Sequence, residues 1–264
     1  MRKNIRFLLI VISIIFVNCT PVTKEISKLS NSITQVSTID ALLAGVYDGH
    51  ITLDNLLDFG DFGLGTFDKL DGEMLILDGI VYQIKTDGKV YTPADTLKTP
   101  FAAISKFETV AQYTLEENVD LDSLKEVLNK KIINKNQFYG IKITGTFKYM
   151  KTRSVPAQKK PYPLLVEVVK KQSVFEMENI QGTIVGYFCP DFVKGINVPG
   201  YHLHFISKDL KKGGHILGLK TQSGKIEIDS YNELSLILPQ DSDDFNKTDL
   251  DVDREDDLDD VEKE

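Results

Sequence analysis

Three of the four histidines of this chain, at positions 202, 204 and 215, lie in a stretch that is typical of a β-hairpin. In a strand, side chains at i and i+2 project from one face, so His202 and His204 point the same way. The polar run at 208–214 ends in two glycines and predicts a turn, after which His215 begins the returning strand. If His204 and His215 pair roughly opposite one another, the three imidazoles converge on one point.

Three neutral imidazoles suit zinc or a similar divalent ion. A three-ligand site leaves one coordination position open, which is the pattern of catalytic rather than structural zinc. A His-x-His pair alone is commonly a polar strand face, but a third histidine on the returning strand favours a metal site. The sequence therefore predicts a Zn²⁺ centre at His202, His204 and His215, whereas we expect His50, in an Asp-Gly-His turn, to face solvent.

The N-terminal residues have the pattern of an export signal. A basic start precedes an apolar run at 7–17 that is too short to span a bilayer comfortably, and Cys19 follows it. This arrangement resembles bacterial lipoproteins, in which such a cysteine becomes the lipidated N-terminus. We therefore expect a signal peptide at 1–18, a tether at 19–36, and export as a cell-envelope lipoprotein attached through Cys19, with plain secretion or an uncleaved anchor as alternatives.

The rest of the chain, at 42% hydrophobic and 27% charged residues, has ordinary globular composition. Three Asp-Gly pairs at 71–72, 78–79 and 87–88 separate short β-type runs and predict a meander. Residue patterns predict further strands at 141–149, 164–169, 182–188, 225–229 and 234–238, and helices at 37–47, 101–113 and 122–129. The fold class is therefore α+β, with mixed or antiparallel β-sheets, flanking helices, and the metal site on a β-hairpin.

The last 24 residues carry a net charge of −10, so the remaining chain carries about +2 of the overall −8. Such a run is typically a solvated tail, but Leu250, Leu258 and Val261 fall at helical spacing, which also allows a docked amphipathic helix. The acidity argues against nucleic acid as a partner.

Two charged residues have open roles on the residue pattern alone. Glu73 shares a strand face with Leu75 and Leu77, so it either reaches water at the strand end or belongs to a site. Arg153 at a strand end is by position a surface cation, although a guanidinium can also grip a carboxylate in two-point fashion.

Several motifs together resemble the α-acetolactate decarboxylase family, and the likeness runs from about residue 35 to the C-terminus. They are GLGTFDKLDGEM at 63–74, LDG at 77–79, KTPF at 98–101, KTRSVP at 151–156 and KGINVPGYHLHF at 194–205. The resemblance implies a metal-dependent lyase that converts 2-acetolactate to (R)-acetoin and carbon dioxide. It also implies two related subdomains, for which we expect residues 37–135 and 136–240 with 241–264 as the tail, and a homodimer.

The resemblance further implies roles for individual residues. The family's metal ligands map onto the three histidines, and its active-site glutamate and arginine map onto Glu73 and Arg153. It also has a glutamate near the C-terminus that reaches the site, which we assign to Glu262, with Glu264 and Glu255 as alternatives. A zinc ion on the keto and hydroxyl oxygens would stabilise an enediolate, Arg153 would orient the substrate, and Glu73 or Glu262 would return the proton.

Two other classes of protein share some of these features. A cupin-like metal-dependent isomerase or dioxygenase also places His-x-His on a strand, but typically has a glutamate three to five positions after the second histidine. This chain has Ser207, Lys208 and Asp209 there. A non-catalytic metal-binding or sugar-binding envelope lipoprotein would explain the signal and the tail, but would leave Glu73 and Arg153 without a role.

Overall fold

The computed structural model describes residues 31–263, except for the side chain of Lys263. The predicted signal peptide, Cys19 and Glu264 therefore lie outside the described residues. Within residues 31–263 the chain forms fourteen strands and six α-helices, so the prediction of a strand-rich α+β fold is confirmed.

The strands follow one another as β1 (Ser32–Val36), β2 (Ile51–Thr52), β3 (Phe62–Thr66), β4 (Glu73–Leu77), β5 (Ile80–Ile84), β6 (Val90–Tyr91), β7 (Lys98–Thr99), β8 (Ala102–Ser105), β9 (Ala111–Leu115), β10 (Phe138–Ser154), β11 (Ser173–Cys189), β12 (Gly200–Ser207), β13 (Gly213–Tyr231) and β14 (Glu233–Ile237). The helices are α1 (Ile39–Leu43), α2 (Leu53–Leu57), α3 (Leu121–Asn129), α4 (Leu165–Val169), α5 (Asp243–Lys247) and α6 (Glu255–Lys263). No helix in this described part is long and apolar enough to cross a membrane.

The first sheet has seven strands in the order β14-β1-β8-β3-β4-β5-β6. Its pairs are antiparallel except that β1 runs parallel to β14. Because β1 is paired on both sides and largely buried, the prediction that a tether extends to residue 36 is wrong. The folded domain includes residues 32–36.

The second sheet closes on itself. Strands β10, β11, β12 and β13 pair in that order, and β13 also pairs with β10, so these four long antiparallel strands form a barrel with β9 added along β13. Residues of β9 come from the predicted N-terminal part, whereas β14 from the predicted metal-binding part joins the first sheet. The expected division at 135/136 is therefore not the division between the two sheets.

Side chains along β12 point alternately into an apolar core and towards the predicted site. Leu203 and Phe205 point into the apolar interior of the barrel, together with residues of β10 and β11. Ile206, on the opposite face, packs against the first sheet. His202 and His204 share that face, so they lie between the two sheets.

The predicted hairpins of the first sheet are confirmed, since β4, β5 and β6 are antiparallel neighbours. Asp78 and Gly79 both have positive φ, 52° and 76°, as a two-residue turn between antiparallel strands requires. A short 3-10 turn at Asp68–Leu70 leads into β4.

Two predictions of local structure are wrong. Residues 101–113 do not form a helix but contain β8 and β9, which belong to different sheets. All four residues of β8 are buried in the centre of the first sheet, and a strand buried on both faces has no alternation that would distinguish it from a buried helix. Conversely, the run at 164–169 forms helix α4, whose buried residues Leu165, Val168 and Val169 follow helical spacing.

The predicted helices near both ends of the domain are present. Helix α1 begins after Thr38, whose hydroxyl accepts a hydrogen bond from the Ala41 amide. In the acidic tail, α6 buries Leu258 and Val261 against residues of α1 and α4. The tail is therefore docked on the domain along α6.

Candidate active site

Three of the predicted site residues lie opposite one another on neighbouring strands of the barrel. His215 on β13 pairs with His204 on β12, as the hairpin predicts, and also with Arg153 on β10. The turn lies at 208–212, and the two glycines that we expected in it instead begin β13. A Cβ on Gly214 would stand 2.3 Å from the Arg153 carbonyl oxygen, so glycine permits the close approach of these strands.

The three imidazoles converge as the strand geometry predicts. The ring centroids lie 5.0 Å (His202–His204), 5.1 Å (His202–His215) and 5.4 Å (His204–His215) apart. One nitrogen from each ring falls within 4.8 Å of the others, and all three side chains are buried. This geometry allows a single ion to contact all three rings.

The hydrogen bonds of the histidines fit metal ligation. His204 Nδ1 lies 2.8 Å from the Met74 carbonyl oxygen, which can only accept, so Nδ1 carries the proton and Nε2 keeps its lone pair. His204 Nε2 and His202 Nδ1 are buried and have no hydrogen-bond partner in the described residues. Buried polar atoms are rarely left unpaired, and a carbonyl that fixes the tautomer is typical of metal-bound histidine.

Burial also keeps the imidazoles uncharged. Loss of solvation, with a smaller contribution from the Arg153 charge, lowers the pKa of His202 to about 3. The pKa values of His204 and His215 lie well below the usual range, mainly because of burial. Neutral imidazole is the form that binds a metal ion.

Two carboxyl groups approach the histidines from different elements. Glu73 Oε2, on β4 of the first sheet, is 3.6 Å from His204 Nε2. Glu262 Oε2, on α6, is 3.8 Å from His215 Nε2, with its side chain 16% exposed. These distances exceed hydrogen-bond length and the imidazoles are neutral, so neither contact is an ion pair.

Burial raises the pKa of both carboxyl groups. The pKa of Glu73 rises to about 7 because of lost solvation, against the opposing charge of Arg153. The pKa of Glu262 also rises to about 7 for the same first cause, opposed by Arg153 and Lys125. A cation held between them would oppose the rise further, as the guanidinium already does.

Arg153 is a buried cation, with only 4% of the residue exposed. Its Nη1 donates a hydrogen bond to Gln172 Oε1 at 3.1 Å, while Nε is buried without a partner in the described residues. Across residues 31–263, no carboxylate oxygen lies within 4.0 Å of the guanidinium nitrogens. Glu73 and Glu262 act on the guanidinium through their charge without forming an ion pair with it. The unpartnered, buried Nε is therefore suited to an anionic ligand.

Two spaces that share lining residues adjoin the site. An inner pocket of about 40 Å³ is bounded by Glu73, Arg153, His202 and His215, together with apolar side chains of α1 and α4. A wide outer cleft of about 810 Å³ runs between α3, β12, β13 and the acidic tail. His215 and Glu262 line both spaces, so they stand where the cleft meets the pocket.

The structure brings together six of the predicted site residues: Glu73, Arg153, His202, His204, His215 and Glu262. Of the alternatives to Glu262, Glu255 forms an exposed ion pair with Lys194 at 2.6 Å. His50 lies apart from the six and, against our expectation, is half-buried.

Sequence reasoning missed three groups at the site: the Met74 carbonyl, the Gln172 amide and Thr66, which lines the inner pocket. A backbone carbonyl carries no sequence signal. Thr66 lies within the motif at 63–74, but the motif assigned it no role. Gln172 lies outside the motifs and reaches the site only through tertiary packing.

The matching family model, two relatives and a solved structure agree on one family. The profile of the family described as alpha-acetolactate decarboxylase matches residues 33–252. An alpha-acetolactate decarboxylase of Methanosarcina mazei is 48% identical over 237 residues, covering 90% of this chain and 82% of the relative. One from Brevibacillus brevis is 45% identical over 220 residues, covering 83% and 77%. The crystal structure of alpha-acetolactate decarboxylase from Bacillus subtilis strain 168 has a TM-score of 0.86 at 36% identity, covering 88% of this chain and 100% of that chain.

Replacing one of the convergent histidines should weaken metal binding strongly. We expect His204→Ala to lower the affinity for Zn²⁺ by at least about 100-fold, because two imidazoles remain and the Met74 carbonyl loses its partner. Metal content after dialysis, measured by mass spectrometry, checks this. His50→Ala is the matched control and should keep one ion per chain. Equal metal content in both variants would contradict the assignment of the site.

Proposed function

The chain belongs to the alpha-acetolactate decarboxylase family, and we propose that a divalent cation held by His202, His204 and His215 serves its reaction. The chain is a carboxy-lyase, and its reaction is the decarboxylation of acetolactate. The observation that carries the metal proposal is the set of three buried, neutral imidazoles, two of which have unpartnered ring nitrogens. Zinc suits this donor set best.

The reaction needs three things from the site. The bond from the carboxylate to the neighbouring carbon breaks, its electron pair moves into the adjoining carbon–carbon bond, and the keto π electrons move onto oxygen. A proton then joins the carbon that has lost carbon dioxide, which gives acetoin. When bound, the cation supplies a Lewis acid that draws electron density towards the keto oxygen.

Arg153 binds and orients the carboxylate that leaves. Its charge is buried with no carboxylate partner among the described residues, and the Gln172 amide fixes one of its nitrogens. A guanidinium presents two parallel N–H groups to a carboxylate, which sets the direction of the bond that breaks. The substrate thus supplies the anion that the buried guanidinium lacks.

Glu73 and Glu262 are the proton donors available at the site. Burial raises the pKa of each carboxyl group and so favours its protonated form, whereas a bound cation opposes this rise. The two groups come from different elements, β4 and α6. The enantiomer of acetoin is set by which carboxyl group delivers the proton, and we propose the (R) form.

The sizes of the two spaces determine how the substrate lies. The inner pocket, at about 40 Å³, is much smaller than the outer cleft, at about 810 Å³. We propose that a substrate bound by Arg153 extends past His215 and Glu262 towards the outer cleft. Its apolar end faces the side chains of α1 and α4 that line the inner pocket.

We also propose that the protein is exported, attached to a membrane through a lipid on Cys19, and homodimeric. The support for export is the basic start, the apolar run at 7–17 and the cysteine two positions after it. The support for a homodimer is the family resemblance. Both proposals concern where and in what form the same reaction takes place.

Acetoin formation tests the function directly. We expect the purified protein to convert racemic 2-acetolactate to acetoin, to lose this activity on dialysis against a chelator, and to regain it with Zn²⁺. Acetoin is measured by colour reaction and its enantiomers by chiral gas chromatography. Full activity in a metal-free sample would refute the metal role, and absence of acetoin in the zinc-loaded protein would refute the function.

Arg153→Lys keeps the charge but loses the two-point contact. We expect kcat/KM to fall at least about 100-fold, roughly 3 kcal/mol of transition-state stabilisation, while the melting temperature changes little. Arg254→Lys is the matched control, because Arg254 lines the outer cleft but not the inner pocket and donates to the backbone carbonyls of Val252 and Asp249. If Arg153→Lys melts early and turns over normally, the arginine is structural.

Replacement of the cysteine tests the attachment. The full-length chain expressed in a bacterial host should carry acyl groups on Cys19 and sediment with membranes, whereas Cys19→Ser should appear in the soluble or medium fraction. Mass spectrometry of the N-terminal peptide and fractionation measure this. An unmodified N-terminus beginning at residue 1 would contradict the export signal.

A further inference from the structure

The outer cleft is lined by more negative than positive side chains, which disfavours an anionic substrate. Acidic side chains outnumber basic ones along it, and they include Asp122, Asp191, Asp251, Asp253 and Glu255. A cleft lined by one sign of charge lowers the local concentration of ligands with the same sign. The carboxylate of acetolactate must therefore pass an unfavourable potential before it reaches Arg153.

Three cations interrupt the acidic wall: Lys125, Lys194 and Arg254. The ammonium group of Lys194 is already paired with Glu255 at 2.6 Å. The guanidinium of Arg254 donates to the backbone carbonyls of Val252 and Asp249. Within residues 31–263, Lys125 forms no ion pair shorter than 4.0 Å, so its charge is available to a ligand.

Helix α3, which carries Lys125, is held in place beside the cleft. Leu124 and Leu128 on this helix are buried in the core of the barrel. Asp120 caps the start of the helix by accepting a hydrogen bond from the Ser123 amide, and Asn129 at its end accepts one from the Tyr201 hydroxyl. The lysine therefore projects from a helix that is fixed at both ends and along one face.

Lys125 and Arg153 lie on either side of two shared residues. Lys125 lines the outer cleft together with His215 and Glu262, and Arg153 lines the inner pocket together with the same two residues. His215 and Glu262 therefore stand between the two cations.

We propose that Lys125 is a positioning residue that attracts the substrate carboxylate into the cleft and passes it to Arg153. This role rests on the decarboxylase function proposed above and adds a second cation to it. Lys125 contributes to capture of the substrate and not to the bond-breaking step. Its removal therefore raises KM while kcat stays nearly constant.

Steady-state kinetics of the zinc-loaded protein with 2-acetolactate test this proposal. Lys125→Gln should raise KM about tenfold at low ionic strength with kcat within about twofold, since electrostatic attraction acts on capture. Lys125→Arg should restore KM to within about twofold. Lys130→Gln, on the exposed end of the same helix, is the matched control and should behave as the wild type. Melting temperature and metal content verify that each variant is folded and loaded.

The salt dependence of KM distinguishes electrostatic attraction by Lys125 from a structural role of this residue. Between about 10 mM and about 150 mM salt the Debye length falls from about 30 Å to about 8 Å, so the difference in KM between wild type and Lys125→Gln should shrink. A Lys125→Gln variant with unchanged KM, or with a loss confined to kcat, overturns the role of Lys125 alone. A wild type that forms no acetoin overturns the function and this role together.

Discussion

Strand β13 pairs through His215 with both β12 and β10, and this double pairing fixes the geometry of the site. It aligns Arg153, His215 and His204 in one row across the barrel. The two-residue period of β12 then places His202 on the same face as His204. Backbone pairing therefore places the Cα atoms of all four residues, along the long ladder between β10 and β13 and the three-residue ladder between β12 and β13.

Burial between the two sheets gives these groups their chemistry. The imidazoles stay neutral, the carboxyl groups of Glu73 and Glu262 become harder to ionise, and Arg153 keeps a charge without a carboxylate partner in the described chain. Burial makes each of these groups costly to leave without an opposite charge or a hydrogen-bond partner. A bound cation or an anionic substrate supplies that partner, so the groups interact strongly with both. The stability lost at the site is compensated by the apolar cores on both sides of it.

The parts of this arrangement that depend on local geometry could be predicted from the sequence. The spacing of His202, His204 and His215 was sufficient, because strand period and hairpin pairing are local rules. Glu73 and Arg153 were ambiguous on pattern alone, because their burial depends on how the first sheet packs on the barrel, and only the family resemblance assigned them. The run at 101–113 was misassigned because its buried part, β8, is a short strand with no alternation of buried and exposed residues. The run at 164–169 was misassigned because a helix of five residues is too short for its period to be distinguished from that of a strand.

The parallel pair of β1 with β14 has a consequence for how the molecule is assembled. Ser32 lies opposite Glu233, so this contact closes a loop of about 200 residues, and the strands of the barrel at 111–231 all lie inside it. The strand pairs among β9 to β13 use contacts within that loop alone, and once formed they leave about 80 residues between Ser32 and β9 to be closed. The chain entropy lost on closing a loop rises with its length, so a preformed barrel lowers the cost of adding the last edge of the first sheet.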